Sequence, residues 1–123
     1  MTPTPLIALV DDDAPFLSAM ESLMRALGWR AEGFASAEGF LDSSAREEAA
    51  CVVSDLQMPG MDGLELLRRL TAEGGAPPVI LVTARTEPRL EAEARAGGAL
   101  CLLRKPLEPQ ALIDCVARAL DAA

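Results

Sequence analysis

The chain has no histidine and no tyrosine, and its aromatic side chains are three phenylalanines and one tryptophan. Without imidazole there is no histidine to act as general base, nucleophile or metal ligand, so any chemistry must come from carboxylates, hydroxyls and lysine. The shortage of rings means that the core is built from Leu, Val, Ile, Ala and Met, which suits helices laid on a parallel sheet. Positive charge is scarce too. Eleven Lys and Arg against 19 Asp and Glu leave a net charge of −8, a field that repels phosphate backbones and anionic lipid, so direct nucleic-acid or membrane binding is not expected. No apolar run approaches the roughly 20 residues of a membrane span. The opening Met1-Thr2-Pro3-Thr4-Pro5 lacks the basic segment of a secretion signal, and a cytoplasmic location is the expectation. The three cysteines, Cys51, Cys101 and Cys115, form no CxxC pair and read as small buried hydrophobes.

At 123 residues the chain has room for one domain with one core, taken as residues 1–123. Leu6 to Val10 is a continuous apolar run of strand length that ends at Asp11-Asp12-Asp13. Continuous rather than alternating apolarity indicates a strand covered on both faces. Asp12 or Asp13 can cap the helix that follows, with Pro15 in its first turn and Phe16, Met20, Leu23 and Leu27 at helical spacing until Gly28. Trp29 to Phe34 reads as a second strand, less apolar and therefore at an edge, and Ser36 opens a brief helix with Phe40 and Leu41. The spacing predicts a polar connection over Asp42 to Ala50 and a third strand that starts at Cys51 and delivers Asp55 to its end. Pro59-Gly60 then breaks the chain before a leucine-rich helix. Val79 to Val82 is the fourth strand, closing on Thr83. A charged helix over about Glu87 to Ala96 has Leu90 as its only large apolar residue and should be weakly held. Ala99 to Leu103 is read as the fifth strand, leading into Arg104-Lys105-Pro106, and an amphipathic helix runs from there to the terminus. Five βα units in alternation imply a parallel sheet with right-handed crossovers and helices on both faces.

In such a sheet the strand ends share one edge, where ligands bind. Strands one, three, four and five end in Asp11-Asp12, Asp55, Thr83 and Lys105. Each residue alone has a plain structural use: helix cap, turn aspartate, strand-end hydroxyl, solvated surface charge. Together they are harder to explain that way. Carboxylates crowded on one edge repel, and a hard divalent cation such as Mg²⁺ relieves them. A hydroxyl and an ammonium beside the metal fit a phosphoryl group on Asp55, whose oxygens need charge neutralised from several sides. The expected roles are Asp55 as nucleophile, Asp12 and Asp55 as metal ligands, Asp11 as holder of the metal's waters, and Thr83 and Lys105 as grips on phosphoryl oxygens.

Val10-Asp11-Asp12, Asp55 with Met58-Pro59-Gly60-Met61-Asp62-Gly63, Thr83-Ala84 and Lys105-Pro106 resemble, in order and spacing, the receiver domains of bacterial response regulators. The match looks most like FixJ-like receivers that precede a DNA-binding domain. This resemblance implies a single flavodoxin-like α/β domain, (βα)5 in three layers, with strand order 2-1-3-4-5. It implies phosphorylation of Asp55 by a sensor histidine kinase or phosphotransfer protein, and Mg²⁺ held by Asp12, Asp55 and the backbone carbonyl of Gln57. The implied protein is a phosphoacceptor that catalyses its own phosphotransfer and slowly loses the group, rather than a turnover enzyme. It also implies a cis peptide at Lys105-Pro106, and a role for Gln57 and Arg85 in tuning the lifetime of the acyl phosphate. One departure stands out: Leu102 lies where receivers carry the aromatic switch residue that moves with the threonine.

Two rival readings follow from the residues. Asp11-Asp12-Asp13 fits the opening motif of a haloacid-dehalogenase-type phosphatase, with Asp11 as nucleophile and Asp13 as acid, although Pro15 and the missing downstream acidic pair do not fit. Leu102 motivates a receiver fold that binds partners without phosphorylation. For the receiver, the expectation is that phosphorylation alters the face made by the charged helix, the fifth strand and the last helix. That face would serve as a homodimer or partner surface controlling an output domain or effector outside this chain.

Overall fold

The computed structural model describes residues 4–121. Met1-Thr2-Pro3, read above for its lack of basic charge, and Ala122-Ala123, assigned by pattern to the last helix, lie outside the described residues. The chain alternates strands and helices in the order β1 (Leu6–Val10), α1 (Ala14–Ala26), β2 (Arg30–Phe34), α2 (Ala37–Leu41), α3 (Ala45–Glu48), β3 (Ala49–Asp55), α4 (Gly63–Ala72), β4 (Val79–Thr83), α5 (Pro88–Ala96), β5 (Cys101–Arg104) and α6 (Pro109–Asp121). All neighbouring strands pair parallel, in the order β2-β1-β3-β4-β5. The flavodoxin-like arrangement expected from the sequence is the one observed.

The unbroken apolarity of β1, β3 and β4 is explained by where alternate residues go. Leu6, Ala8, Val10, Val52, Val79 and Leu81 face one layer, packed with Phe40, Leu64, Leu67, Leu70 and Leu90. Ile7, Leu9, Cys51, Val53, Ile80 and Val82 face the other, against Leu17, Met20 and Met24 of α1 and Leu112, Cys115 and Val116 of α6. Both sides of the central strands are therefore dry, and β2 lies at an edge as its mixed composition requires. Helices α1, α2 and α4 start on side-chain caps. Asp13 accepts from the Phe16 N–H, Ser36 from Gly39 and Asp62 from Glu65, each satisfying one of the donors that a first turn leaves free.

Four boundaries differ from the sequence reading. The stretch Asp42 to Ala50 is not simply a polar connection. It holds α3, with Ala45 buried, and β3 begins at Ala49 rather than Cys51. Trp29 precedes β2, and Leu27 ends α1 as its C-cap and is 43% exposed rather than part of the buried face. β5 starts two residues later than expected, at Cys101, and ends one later, at Arg104, where its register partner is Thr83. Cys51 and Cys115 are buried, but Cys101 is half-buried.

Candidate functional site

Parallel pairing fixes which residues meet at the carboxyl edge. Val10 is in register with Ser54, and Asp55 with Val82, so the residues just after β1 and at the end of β3 come side by side. Asp11, Asp12 and Asp55 each present an oxygen within 4.8 Å of the others. Asp11 and Asp55 are buried, whereas Asp12 opens to solvent. One Asp11 oxygen accepts the N–H of Asp13 at 2.9 Å, which orients the carboxylate, while Asp13 itself turns away to cap α1.

Lys105 completes this cluster from the end of β5. Its Nζ is 3.1 Å from Asp11 Oδ2 and 3.7 Å from Asp55 Oδ2, and it sits 4.4 Å from the centre of the Phe16 ring. The Phe16 face offers an ammonium a favourable cation–π contact. The Lys105-Pro106 peptide bond is cis. Burial pushes the Asp55 carboxyl above the usual carboxylate range, and the negative charge of Asp11 adds to it, against the Lys105 ammonium and a hydrogen bond from the Gln57 backbone. For Lys105, burial works to lower the pKa, but the hydrogen bond to Asp11 and the charges of Asp55 and Asp11 outweigh it and raise the pKa. One ammonium thus serves two carboxylates, and the edge keeps an excess of negative charge.

That excess, together with an all-oxygen donor set, fits a hard cation. Oxygens within 4.8 Å of one another can share an ion at metal–oxygen distances of about 2.0–2.6 Å, and exposed Asp12 leaves one side open for the waters such ions retain.

Thr83 is buried at the end of β4, but its hydroxyl is not turned to the carboxylates. It donates to Gln57 Oε1 at 3.2 Å and accepts from the Arg85 N–H at 3.0 Å. Leu102 pairs with Leu81 and is half-buried against the layer that contains Leu90, outside the acidic cluster. The exposed Arg85 guanidinium points to Glu87. The structure therefore brings Asp11, Asp12, Asp55 and Lys105 together, couples Thr83 to Gln57, and leaves Leu102 and the Arg85 side chain apart from the cluster.

Phe16 and Glu38 carried no site signal in the sequence, and Gln57 was expected for its carbonyl and its effect on lifetime, not as a partner of Thr83. Phe16 reads there only as helix-face apolarity. The Gln57 side chain acts as the acceptor for Thr83. Glu38 accepts the Met61 N–H at 3.1 Å and ties the β3–α4 loop to α2. That loop turns at Gly60, where φ is +75°, a backbone conformation that favours glycine. Gly63 at the start of α4 is equally constrained. A Cβ there would meet the Asp55 carbonyl oxygen at 2.5 Å, so α4 rests directly on the backbone of the residue it supports.

The parallel sheet and the acidic, lysine-capped carboxyl edge define an α/β domain whose site suits a divalent cation and a phosphoryl group. Comparison with known proteins makes the assignment specific. The family described as the response regulator receiver domain matches residues 7–117, and the chain belongs to that family. It is 35% identical over its whole length to the transcriptional regulatory protein FixJ of Bradyrhizobium diazoefficiens. It is also 36% identical, over 94% of its length, to the C4-dicarboxylate transport transcriptional regulatory protein DctD of Pseudomonas aeruginosa. The chain spans 60% of that FixJ and 25% of that DctD. Among solved structures, the response regulator StyR superposes with a TM-score of 0.89 at 35% identity, over 98% of this chain and 61% of that one. The crystal structure of FixJ-N gives 0.87 at 28% identity, over 99% and 98%. The phosphatase reading falls away with this assignment, and Asp13, its required acid, is occupied in capping α1.

Proposed function

We propose that the domain accepts a phosphoryl group on Asp55 from a sensor histidine kinase or phosphotransfer protein in a Mg²⁺-dependent reaction, and passes the change to an output through the face formed by α5, β5 and α6. The observation that carries this reading is the convergence of Asp11, Asp12 and Asp55 within 4.8 Å, with Lys105 reaching two of them. In the transfer, an Asp55 carboxylate oxygen forms the new bond to phosphorus. The phosphorus–nitrogen bond of the donor phosphohistidine breaks, and the electron pair leaves with the imidazole. Lys105 releases its hold on Asp55 to pair with a phosphoryl oxygen, and Thr83 exchanges Gln57 for another. Asp11, Asp12, Asp55 and the Gln57 carbonyl would hold the cation, which when bound neutralises the crowded carboxylates and the incoming phosphate.

Return to the free carboxylate needs water to reach phosphorus; Gln57, whose side chain holds the Thr83 hydroxyl, is placed to tune the lifetime of the acyl phosphate, and Arg85 would join it by turning its guanidinium from Glu87. The protein is then a phosphoacceptor, not a turnover enzyme. FixJ and DctD are transcriptional regulators by name, and control of transcription through an attached output domain, in the cytoplasm, is the corresponding role for this chain. Among the described residues no helix is long and apolar enough to cross a membrane. Mass spectrometry after treatment with acetyl phosphate and Mg²⁺ tests the reading. A single phosphoryl adduct on the Asp55 peptide, absent in Asp55→Asn, supports it. An adduct on Asp11, or none, contradicts it.

A further inference from the structure

Resting on this reading, we infer that Arg104, not Leu102, is the residue through which the state of Thr83 reaches α5. Leu102 has no polar atom and lies against the buried layer beneath α5. Arg104 is the β5 residue in direct register with Thr83, and the β5 chain holds the Thr83 carbonyl through the Lys105 N–H at 2.8 Å. The Arg104 guanidinium donates to the Arg85 carbonyl at 3.2 Å and reaches Glu91, in the first turn of α5, at 3.8 Å. One planar side chain therefore joins the loop after β4 to the helix that follows it, a two-handed contact that suits guanidinium geometry.

The loop residue that Arg104 grips is the one tied to Thr83. The Arg85 N–H donates to the Thr83 hydroxyl, and that hydroxyl donates to Gln57. When Thr83 leaves Gln57 for a phosphoryl oxygen, the Arg85 peptide loses or follows its acceptor, and the carbonyl on its far side moves relative to the guanidinium. The element downstream is weakly anchored, since Leu90 and Ala94 are the buried residues of α5, so a small displacement of Arg85 and Glu91 is enough to shift it. Arg104 is a positioning residue in this scheme: it is exposed, it touches none of Asp11, Asp12 or Asp55, and its contacts are with the reporting loop and helix.

The test compares backbone amide NMR spectra of the parent protein and of Arg104→Met, each without ligand and with saturating Mg²⁺ and beryllofluoride. Beryllofluoride is expected to bind both with affinities within about threefold and to shift the amides around Asp55 and Thr83 alike. The shifts over residues 88–96 should fall by at least half in the variant, with partial recovery in Arg104→Lys. An undiminished α5 response in Arg104→Met, with normal beryllofluoride binding, would overturn the inference and leave the phosphoacceptor reading standing. Failure of the parent protein to bind beryllofluoride would overturn both.

Discussion

Lys105 stands closer to Asp11 than to Asp55, at 3.1 Å against 3.7 Å, although Asp55 is the proposed phosphoacceptor. The lysine is best engaged with the acid that is not modified, and its weaker contact is the one that must be exchanged for a phosphoryl oxygen. An ammonium parked in this way offsets part of the negative charge of the resting site without competing strongly for Asp55.

Replacing Lys105 by Ala removes that partial offset. Buried Asp11 would keep only the Asp13 N–H as a hydrogen-bond donor, a loss expected to cost about 1–3 kcal/mol in metal-free protein. Mg²⁺ binding should survive, since the ligand set is intact, and Mg²⁺ should restore much of the lost stability. Thermal melts with and without Mg²⁺ measure both effects. Beryllofluoride-induced change beyond the pocket should be lost, and an unaltered output response in this variant would contradict the role given to the lysine.

Asp55→Asn should stabilise the metal-free domain. Burial, followed by the charge of Asp11, raises the Asp55 pKa above its unfolded value. A raised carboxylate pKa means that the fold disfavours the ionised form, so the penalty is absent well below the unfolded pKa. It sets in as pH rises past the unfolded pKa and is complete once pH exceeds the raised folded pKa. The amide carries no such charge. In chelator near neutral pH its melting temperature should exceed that of the parent. The gap should close toward pH 3.

Gly63→Ala tests the support beneath Asp55. The new methyl would lie 2.5 Å from the Asp55 carbonyl oxygen and 2.9 Å from the Leu56 Cα, and backbone atoms cannot swing aside as a flexible side chain can. A cost of roughly 1–3 kcal/mol is expected, with weaker Mg²⁺ binding because the displaced backbone carries a ligand. Denaturant titration and Mg²⁺ calorimetry report the two separately. Unchanged Mg²⁺ affinity would show that α4 does not position Asp55.

The thiols give a pH prediction remote from the site. Burial pushes the Cys51 and Cys115 thiols up to about 12. Both stay protonated in the fold at pH values where an unfolded cysteine has ionised, so they draw down stability as pH climbs past about 9, the ordinary thiol value. Native protein at pH 8 should therefore react with a thiol reagent at half-buried Cys101 first, and fully only after unfolding. Rapid native labelling of Cys51 would contradict the burial argument.

The sequence revealed most where burial was most complete. β1, β3 and β4 announce themselves as apolar runs because both their faces are covered, and their last residues mark the site without reference to any helix. Composition is silent where burial is thin. α3 is four residues long with Ala45 as its buried residue, too short to show a period, and the start of β3 at Ala49-Ala50 carries no β-branched signal. Leu27 extends the helical spacing of α1 yet lies past its end, because spacing records periodicity and not where the helix stops. At the site, residue types at strand ends identified the acids and the lysine, which meet through sheet register. The pairing of Thr83 with Gln57 and the bridge from Arg104 to Arg85 and Glu91 depend on side-chain direction across loops, which no spacing encodes.

The central claim is tested most directly by a crystal structure of the domain with Mg²⁺ and beryllofluoride. Beryllium is expected to be bonded to Asp55, with the metal among Asp11, Asp12, Asp55 and the Gln57 carbonyl, Lys105 moved onto a fluoride, and the Thr83 hydroxyl turned from Gln57 to another. Beryllofluoride bound elsewhere, or Asp55 still paired with Lys105 and Thr83 still on Gln57 at full occupancy of the ligand, would contradict it.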